Sequence, residues 1–207
     1  MQTQKVYDQN WPQEKYFLIG YRASGKTVVG RLLALQLGAE FLDMDAEISH
    51  RTKMSIQEMV ARHGWDYFRA KERKLLQELG REPEPEPLGP PGPPGPALVV
   101  ATGGGAVLQR DLWPRIRARH LVIWLKANPA TIAARIKADA ISDEQRPALT
   151  EQDLLVEIST VLAQREELYR QASHLQIDTT TTDQAVIVEQ IIAERAKRAK
   201  GPNGPRA

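Results

Sequence analysis

The chain has 207 residues, 42% of them hydrophobic, and no cysteine. This composition excludes a wholly disordered protein, a disulfide-stabilised scaffold, and cysteine-based catalysis or zinc binding. The formal net charge is +2, but residues 195–207 contribute five basic side chains and no acidic one. Without these residues the charge is −3. The sequence therefore predicts a basic tail and no nucleic-acid-binding face on the domain.

Residues 1–14 are polar and lack the apolar segment of a signal peptide. No apolar run elsewhere approaches the ~20 residues that are needed to cross a bilayer. We therefore expect residues 1–14 to form a flexible extension, and the protein to be cytoplasmic with no membrane or nucleic-acid partner.

Short apolar runs alternate with amphipathic stretches over residues 15–194, which we expect to form a single domain. Consecutive apolar residues predict strands that are covered on both faces, as in a parallel sheet, at 16–19, 40–42, 97–101, 121–125 and 174–177. Helices are predicted at 26–37, 55–63, 65–79, from 129, at 151–172 and after 183. The alternation predicts an α/β fold with about five parallel strands.

A glycine-rich segment follows the first predicted strand. Residues 20–27 match G-x-x-x-x-G-K-[ST] at every specified position and lie between a strand and a helix, where backbone N–H groups bind phosphates. No N-K-x-D segment for guanine is present, and a single domain of this size is typical of small-molecule kinases. The segment predicts ATP binding by Gly20, Arg22, Ala23, Ser24, Gly25, Lys26, Thr27 and Val28.

Two carboxylates, Asp43 and Asp45, follow the second predicted strand. One can hold Mg²⁺, directly or through water, and the other can accept the proton of a substrate hydroxyl. The alternative is a loop carboxylate together with the cap of the next helix. The nearby phosphate loop favours the functional interpretation.

The stretch 81–96 contains eight of the 14 prolines and three of the 14 glycines. Its Glu-Pro and Gly-Pro-Pro repeats can neither pack a core nor continue a helix, so we expect a disordered insertion. It precedes the amino end of the 97–101 strand, whereas ligands bind at the carboxyl ends of parallel strands. We therefore expect an enzyme without the insertion to keep nearly full activity.

Three later features suit a small anionic substrate. The triplet Gly103, Gly104 and Gly105 follows the third predicted strand and permits close approach of its backbone to a ligand. Arg69 and Arg165 lie on predicted helices, and arginine binds carboxylate or phosphate through two hydrogen bonds. A solvated helix face remains the alternative for each arginine taken alone. Glu72 is either a surface residue or a group that orients Arg69.

A polar segment at 138–150 contains Arg146 and suits a mobile lid over ATP. The four histidines show no metal-binding spacing, and we expect all of them to be structural or solvated.

Together these segments resemble the shikimate kinases. The phosphate loop is followed, in the family's order, by Phe-Leu-Asp-Met-Asp, Met-Ser-Ile-Gln-Glu, Phe-Arg-x-x-Glu, Val-Val-Ala-Thr-Gly-Gly-Gly-Ala-Val, Arg-Pro-Ala-Leu and Arg-x-x-Leu-Tyr. The resemblance runs from residue 16 to about 183. It implies a three-layer P-loop NTPase fold of the nucleoside monophosphate kinase type, with helices on both faces of the sheet and a mobile lid.

The resemblance also implies transfer of the ATP γ-phosphate to the 3-hydroxyl of shikimate, with Mg²⁺ as cofactor. Separately, we expect the protein to act as a monomer. Asp45 would contact the shikimate hydroxyls and serve as base, while Asp43 and Thr27 would hold Mg²⁺. Arg69 and Arg165 would bind the shikimate carboxylate, and Gly103 to Gly105 would line its ring. Lys26 and Arg146 would stabilise the transferring phosphate, and Arg135 would stack on adenine.

Two alternatives remain open at the level of sequence. One is a kinase for another small hydroxy acid such as gluconate, since paired arginines fit any carboxylate. The other is a non-catalytic ligand sensor of shikimate-kinase type, against which the intact Lys26, Asp43, Asp45 and Arg146 argue.

Overall fold

The structure is a computed structural model that describes residues 14–81, 97–138 and 151–200, without the side chains of residues 151, 152, 199 and 200. The predicted insertion from residue 82 onward, the lid from residue 139 onward with Arg146, and the ends of the chain lie outside the described residues.

Five parallel strands form a single sheet in the order β2-β3-β1-β4-β5. They are β1 (Lys15–Ile19), β2 (Glu40–Asp43), β3 (Leu98–Ala101), β4 (Leu121–Lys126) and β5 (Leu175–Asp178). The predicted parallel α/β fold is therefore confirmed, with strand ends that differ from the prediction by one residue.

Seven α-helices connect the described strands or flank them. They are α1 (Lys26–Leu37), α2 (Met44–Thr52), α3 (Ile56–Leu79), α4 (Trp113–Arg119), α5 (Pro129–Ala138), α6 (Glu151–Ala172) and α7 (Gln184–Lys200). Within α3, Gly64 has non-helical backbone angles (φ 80°, ψ 171°), which separates the two helices that were predicted on either side of it. Helices α2 and α4 were not predicted from the sequence, because both are short and bury only two side chains each.

The apolar runs form strands because the sheet is covered on both faces. All five residues of β1 and all four of β3 are buried, whereas the edge strand β5 buries one of four. Phe17 and Val122 pack with α2, α3, α4 and α6 on one face, and Leu18 and Ile123 pack with α1 and α7 on the other. The three predicted layers are thus present, with polar side chains left to the carboxyl ends of the strands.

The amino end of the sheet lies opposite the phosphate loop and holds both described flanks of the insertion. Lys15 is the register partner of Leu98 in β3 and donates from Nζ to the carbonyl oxygen of Arg81 at 3.4 Å. The flanks therefore lie where the sequence predicted, at the end of the sheet away from the ligand-binding end. Retained activity after deletion of the insertion stays a prediction.

The ends of the described chain differ from the predicted domain bounds at residues 15 and 194. Helix α7 continues to Lys200, and Arg195 donates to both carboxylate oxygens of Glu14, each at 2.9 Å. Residue 14 and the first residues of the predicted tail are therefore part of the folded domain, because helix formation and a bidentate ion pair join them to it.

His120, at the start of β4, predicts a pH-dependent stability. Its side chain is 7% exposed, its ring lies 5.6 Å from that of Phe17, and neither ring nitrogen has a hydrogen-bond partner among the described residues. Burial, with smaller contributions from the positive charges of Lys15 and Arg119, lowers its pKa to about 3. The unfolded chain takes up a proton near pH 6.5 and the folded chain does not, so stability falls as the pH drops below 6.5.

We expect this residue alone to lower the free energy of unfolding by about 2 kcal/mol between pH 7.5 and pH 5. His120→Phe should remove this part of the pH dependence of the free energy of unfolding, as measured by urea unfolding at both pH values. The pKa of His174 is also lowered by burial, to about 4, and leaves a residual slope. The exposed His50→Phe is the matched control, and equal slopes in the two variants would contradict the prediction.

Candidate active site

The phosphate loop lies between β1 and α1, at the carboxyl end of the central strand. Gly20 and Gly25 have positive φ angles of 145° and 94°, and a side chain at Gly20 would overlap the carbonyl oxygen of Leu125. Helix α1 begins at Lys26 without a side-chain cap. Its first N–H groups therefore remain available to an anionic ligand, as the sequence motif requires.

Lys26 is folded into this loop. Its ammonium donates to the carbonyl oxygens of Gly20 at 2.9 Å and Tyr21 at 2.7 Å, and the residue is 8% exposed. Burial lowers its pKa to about 8, against the opposing negative charges of Asp45 and Asp43. The loop therefore holds a positive charge in a position where little water screens it.

Asp43 caps helix α2, and its role in holding Mg²⁺ stays a prediction. Its Oδ1 accepts from the backbone N–H groups of Asp45 at 3.1 Å and Ala46 at 3.3 Å, which caps α2, while Oδ2 accepts from the Thr27 hydroxyl at 2.9 Å. A hydroxyl and a carboxylate oxygen side by side are hard donors of the type that Mg²⁺ prefers. No group of three or more His, Asp or Glu side chains that could hold a metal occurs within the described ranges.

Asp45 lies in the first turn of α2, because the helix that the sequence analysis missed begins at Met44. Its Oδ1 is buried without a hydrogen-bond partner in the described part of the chain. Burial, reinforced by the negative charges of Asp43 and Glu72 and opposed by Lys26 and Arg69, raises its pKa to about 6. The carboxylate is thus a stronger base than an exposed aspartate.

A cavity of about 450 Å³ opens beside the phosphate loop. It brings together the residues that were predicted to bind substrate from four separate parts of the chain: Asp45, Arg69, the triplet Gly103 to Gly105, and Arg165. Arg22, Glu72, Trp65 and Phe68 also line it. Helix α3, the loop after β3 and helix α6 therefore meet at this cavity.

Glu72 is buried, at 1% exposure, and is therefore not the surface residue that the sequence alone favoured. Its Oε2 accepts from Arg69 at 2.7 Å, whose guanidinium also lies over the rings of Phe68 at 5.2 Å and Trp65 at 5.6 Å. Burial is the main cause that raises the pKa of Glu72, against the lowering effect of Arg69 and Arg165. The i, i+3 spacing in Phe-Arg-x-x-Glu was the available signal for this pair.

The glycine triplet packs against the charged groups of the cavity. A Cβ atom at Gly103 would lie 2.7 Å from both Asp45 Oδ1 and Glu72 Oε1. A Cβ atom at Gly104 would lie 3.0 Å from the backbone nitrogen of Arg22, and one at Gly105 would overlap the Arg69 guanidinium. The triplet is therefore required by space, since any side chain would displace groups of the site.

Gly103→Ala is expected to lower kcat/KM for the acceptor about 10- to 100-fold, because it displaces the Asp45 carboxylate. Steady-state kinetics measures the effect. The control is Gly38→Ala, where a Cβ meets nothing within 4 Å but φ is +60°. That variant should lose about 1 kcal/mol of stability and keep its kcat/KM. Normal kcat/KM in Gly103→Ala would contradict the packing described above.

Arg135, on α5, reaches the outer side of the phosphate loop. Its guanidinium donates to the carbonyl oxygens of Thr179 at 2.6 Å and Ala23 at 3.3 Å, and the Thr179 hydroxyl donates to the carbonyl oxygen of Ser24 at 3.1 Å. These bonds join α5 and the end of β5 to the loop. The stacking of Arg135 on adenine stays a prediction, and the role of Thr179 was missed because no motif contains it.

The remaining predicted ATP-binding side chains differ in exposure. Ser24 is 1% exposed with an unpartnered hydroxyl among the described residues, whereas Val28 is 48% exposed on α1.

Within the described helices, none is both long and apolar enough to span a bilayer.

The family model described as shikimate kinase matches residues 22–196. The chain belongs to the shikimate kinase family. Shikimate kinase 2 of Yersinia enterocolitica is 39% identical over 176 residues, which cover 85% of this chain and 92% of that relative. The counterpart in Yersinia pestis strain Pestoides F is 38% identical over the same shares of the two chains.

Solved structures give the same family. A structure described as shikimate kinase from Acinetobacter baumannii in complex with shikimate has a TM-score of 0.74 and 29% identity, and the match covers 93% of this chain and 97% of that one. A gluconokinase from Sinorhizobium meliloti has a TM-score of 0.54 and 16% identity, which shows a shared fold alone. The chain is therefore an ATP-dependent phosphotransferase with a hydroxyl acceptor, and the gluconate alternative is the more distant one.

Proposed function

We propose that this chain transfers the γ-phosphate of ATP to the 3-hydroxyl of shikimate, with the cavity beside the phosphate loop as the acceptor site. One observation carries the proposal: Asp45, whose buried Oδ1 has no hydrogen-bond partner among the described residues, lies in a cavity that Arg69 and Arg165 also line. Shikimate carries one carboxylate and three hydroxyls on a small ring, which matches that set of groups.

The acceptor is held by its carboxylate and its ring. Arg69 and Arg165 bind the carboxylate, and the bond from Arg69 to Glu72 fixes the orientation of the first guanidinium. The backbone at Gly103 to Gly105 lies along the ring, while Trp65 and Phe68 form an apolar wall of the cavity. A ring without the carboxylate would lose the charge-assisted hydrogen bonds to both arginines and would bind weakly.

The donor is held by the phosphate loop. Backbone N–H groups of residues 20–28 surround the β- and γ-phosphates, and Lys26 supplies a fixed positive charge. Asp43 and Thr27 would hold Mg²⁺, whose charge neutralises the phosphate oxygens when it is bound. Arg146 would reach the transferring phosphate from the lid, and Arg135 would contact adenine.

Asp45 accepts the proton as the acceptor oxygen attacks phosphorus. The O–H bond of the acceptor breaks, its oxygen bonds to the γ-phosphorus, and the bond to the β-phosphate oxygen breaks to release ADP. Because the pKa of Asp45 is about 6, the carboxylate is largely ionised at neutral pH and is basic enough to assist. Positioning and neutralisation of phosphate charge supply the remainder of the rate enhancement.

The test is coupled ADP release with shikimate, quinate, gluconate and nucleoside monophosphates as acceptors. We expect turnover with shikimate and at least ~100-fold lower kcat/KM with gluconate, which lacks the ring that the cavity wall fits. Absence of ADP release with shikimate would overturn the proposal. Calorimetric binding of shikimate without ADP release would instead favour the ligand sensor.

We further propose that the protein acts as a monomer in the cytoplasm, as the sequence led us to expect. Size-exclusion chromatography with light scattering checks the first part. A stable dimer would contradict it.

A further inference from the structure

The glycine segment at the floor of the cavity is held by hydrogen bonds from three buried side chains. The Thr102 hydroxyl donates to the carbonyl oxygen of Leu18 at 3.0 Å, before the triplet begins. The Trp113 indole donates to the carbonyl oxygen of Ala106 at 3.1 Å, after the triplet ends. Between these two points, glycine backbone has more freedom than any other residue and needs a further restraint to hold one conformation.

That restraint comes from Tyr169 on α6. Its hydroxyl donates to the carbonyl oxygen of Gly104 at 2.9 Å, at the middle of the triplet. Tyr169 is 1% exposed, and its ring is stacked on Trp124 of β4 with centroids 5.2 Å apart and planes 19° apart. Burial also raises the pKa of Tyr169 to about 12, so the hydroxyl keeps its proton and remains a donor at neutral pH.

Arg165 donates to the same carbonyl oxygen. Its Nη1 lies 3.0 Å from the Gly104 oxygen, one turn of α6 before Tyr169. A carbonyl oxygen has two lone pairs, so both donors are accommodated together. If the Arg165 guanidinium turns to bind a carboxylate in the cavity, Tyr169 is the remaining side-chain donor to this carbonyl among the described residues.

We propose that Tyr169 is a positioning residue for the acceptor site: its hydroxyl fixes Gly104 and keeps that carbonyl paired, which frees Arg165 to bind the acceptor carboxylate. The inference rests on the proposed function for the identity of the acceptor. Without the hydroxyl, Arg165 would have to leave this half-buried carbonyl without a side-chain donor whenever it bound substrate, and the lost hydrogen bond would appear in acceptor affinity.

The kinetic test is Tyr169→Phe, which removes one oxygen and keeps the ring stacked on Trp124. We expect KM for shikimate to rise about 10-fold, the size typical of one lost hydrogen bond. We expect KM for ATP and kcat to change less than about 3-fold. The matched control is Tyr67→Phe, since Tyr67 is half-buried on α3 outside the cavity lining. A lower melting temperature with an unchanged KM for shikimate would overturn the proposal.

A double variant tests whether Tyr169 acts through Arg165. In an Arg165→Ala background, Tyr169→Phe should raise KM for shikimate less than about 2-fold further, because the two effects are coupled. If the two substitutions raise KM for shikimate independently, so that their effects multiply in the double variant, Tyr169 does not act through Arg165.

Amide hydrogen exchange separates this proposal from the proposed function, since it requires no substrate. The N–H groups of Ala106 and Leu108 donate to the carbonyl oxygens of Gly103 and Gly105 and report the order of the segment. In Tyr169→Phe we expect their exchange to be about 10-fold faster, with the amides of β1 unchanged. Unchanged exchange would overturn the role of Tyr169 even if shikimate is the acceptor, whereas silence with shikimate in the native enzyme overturns only the acceptor assignment.

Discussion

Lys26→Ala is expected to lower turnover at least ~100-fold, which is the size of effect that one preorganised electrostatic contact contributes. The native ammonium lies 2.9 Å and 2.7 Å from two carbonyl oxygens of its own loop and is 8% exposed. Alanine removes this ammonium and its bonds to both carbonyl oxygens, although the Tyr21 oxygen still accepts from the Ser24 N–H at 3.2 Å. The γ-phosphate then loses a positive charge that water cannot replace.

Coupled ADP release under saturating shikimate and ATP measures the loss. Lys74→Ala is the matched control, because Lys74 is exposed on α3 and its removal should leave turnover unchanged. Thermal unfolding of both variants separates a loss of activity from a loss of fold. Lys26→Ala that folds and keeps more than about a third of native turnover would contradict the role of Lys26.

Asp45→Asn is expected to lower turnover at least ~100-fold as well, because the amide keeps the shape of the carboxylate but accepts no proton. Acceptor binding should survive, since an amide still hydrogen-bonds to hydroxyls. Calorimetry should therefore give a shikimate dissociation constant within about 10-fold of the native value, while kcat falls. The exposed Asp66→Asn on α3 serves as the matched control.

The pH profile gives a second readout for the same residue. With a pKa near 6, Asp45 gains a proton as the pH falls through 6, so kcat/KM for shikimate should decline below that value. An ordinary aspartate would hold the rate down to about pH 4. Near-normal turnover in Asp45→Asn, or a native profile that is flat to pH 4, would remove Asp45 as the base.

Much of the site was predictable because its residues occupy local patterns. Residues 20–27 form a complete phosphate-binding motif between a strand and a helix, and the same backbone turn appears in the structure. The β1, β3 and β4 strands were predictable because a strand covered on both faces must be apolar at every position. Asp43 and Asp45 were found because parallel strands place their carboxyl ends at one edge of the sheet.

Other features depend on contacts between residues far apart in the chain. Helices α2 and α4 bury only two residues each, so their periodicity is too weak to predict. The burial of Glu72 and His120 follows from elements that pack around them from other parts of the chain. The bond from Tyr169 to Gly104 joins residues 65 positions apart, and no spacing in the sequence indicates it.

The sequence by itself determined the chemistry of this protein: a phosphate loop, two acidic residues, a glycine triplet and arginines suited to a carboxylate. These are properties of residue type and short spacing, which backbone geometry and side-chain chemistry dictate locally. Only the tertiary structure decided how those groups act together. Asp45 and Glu72 lie so close to Gly103 that no side chain fits there, and burial raises the pKa of both carboxyls. Desolvation and steric exclusion depend on what surrounds a group in three dimensions, and several separate segments supply those surroundings.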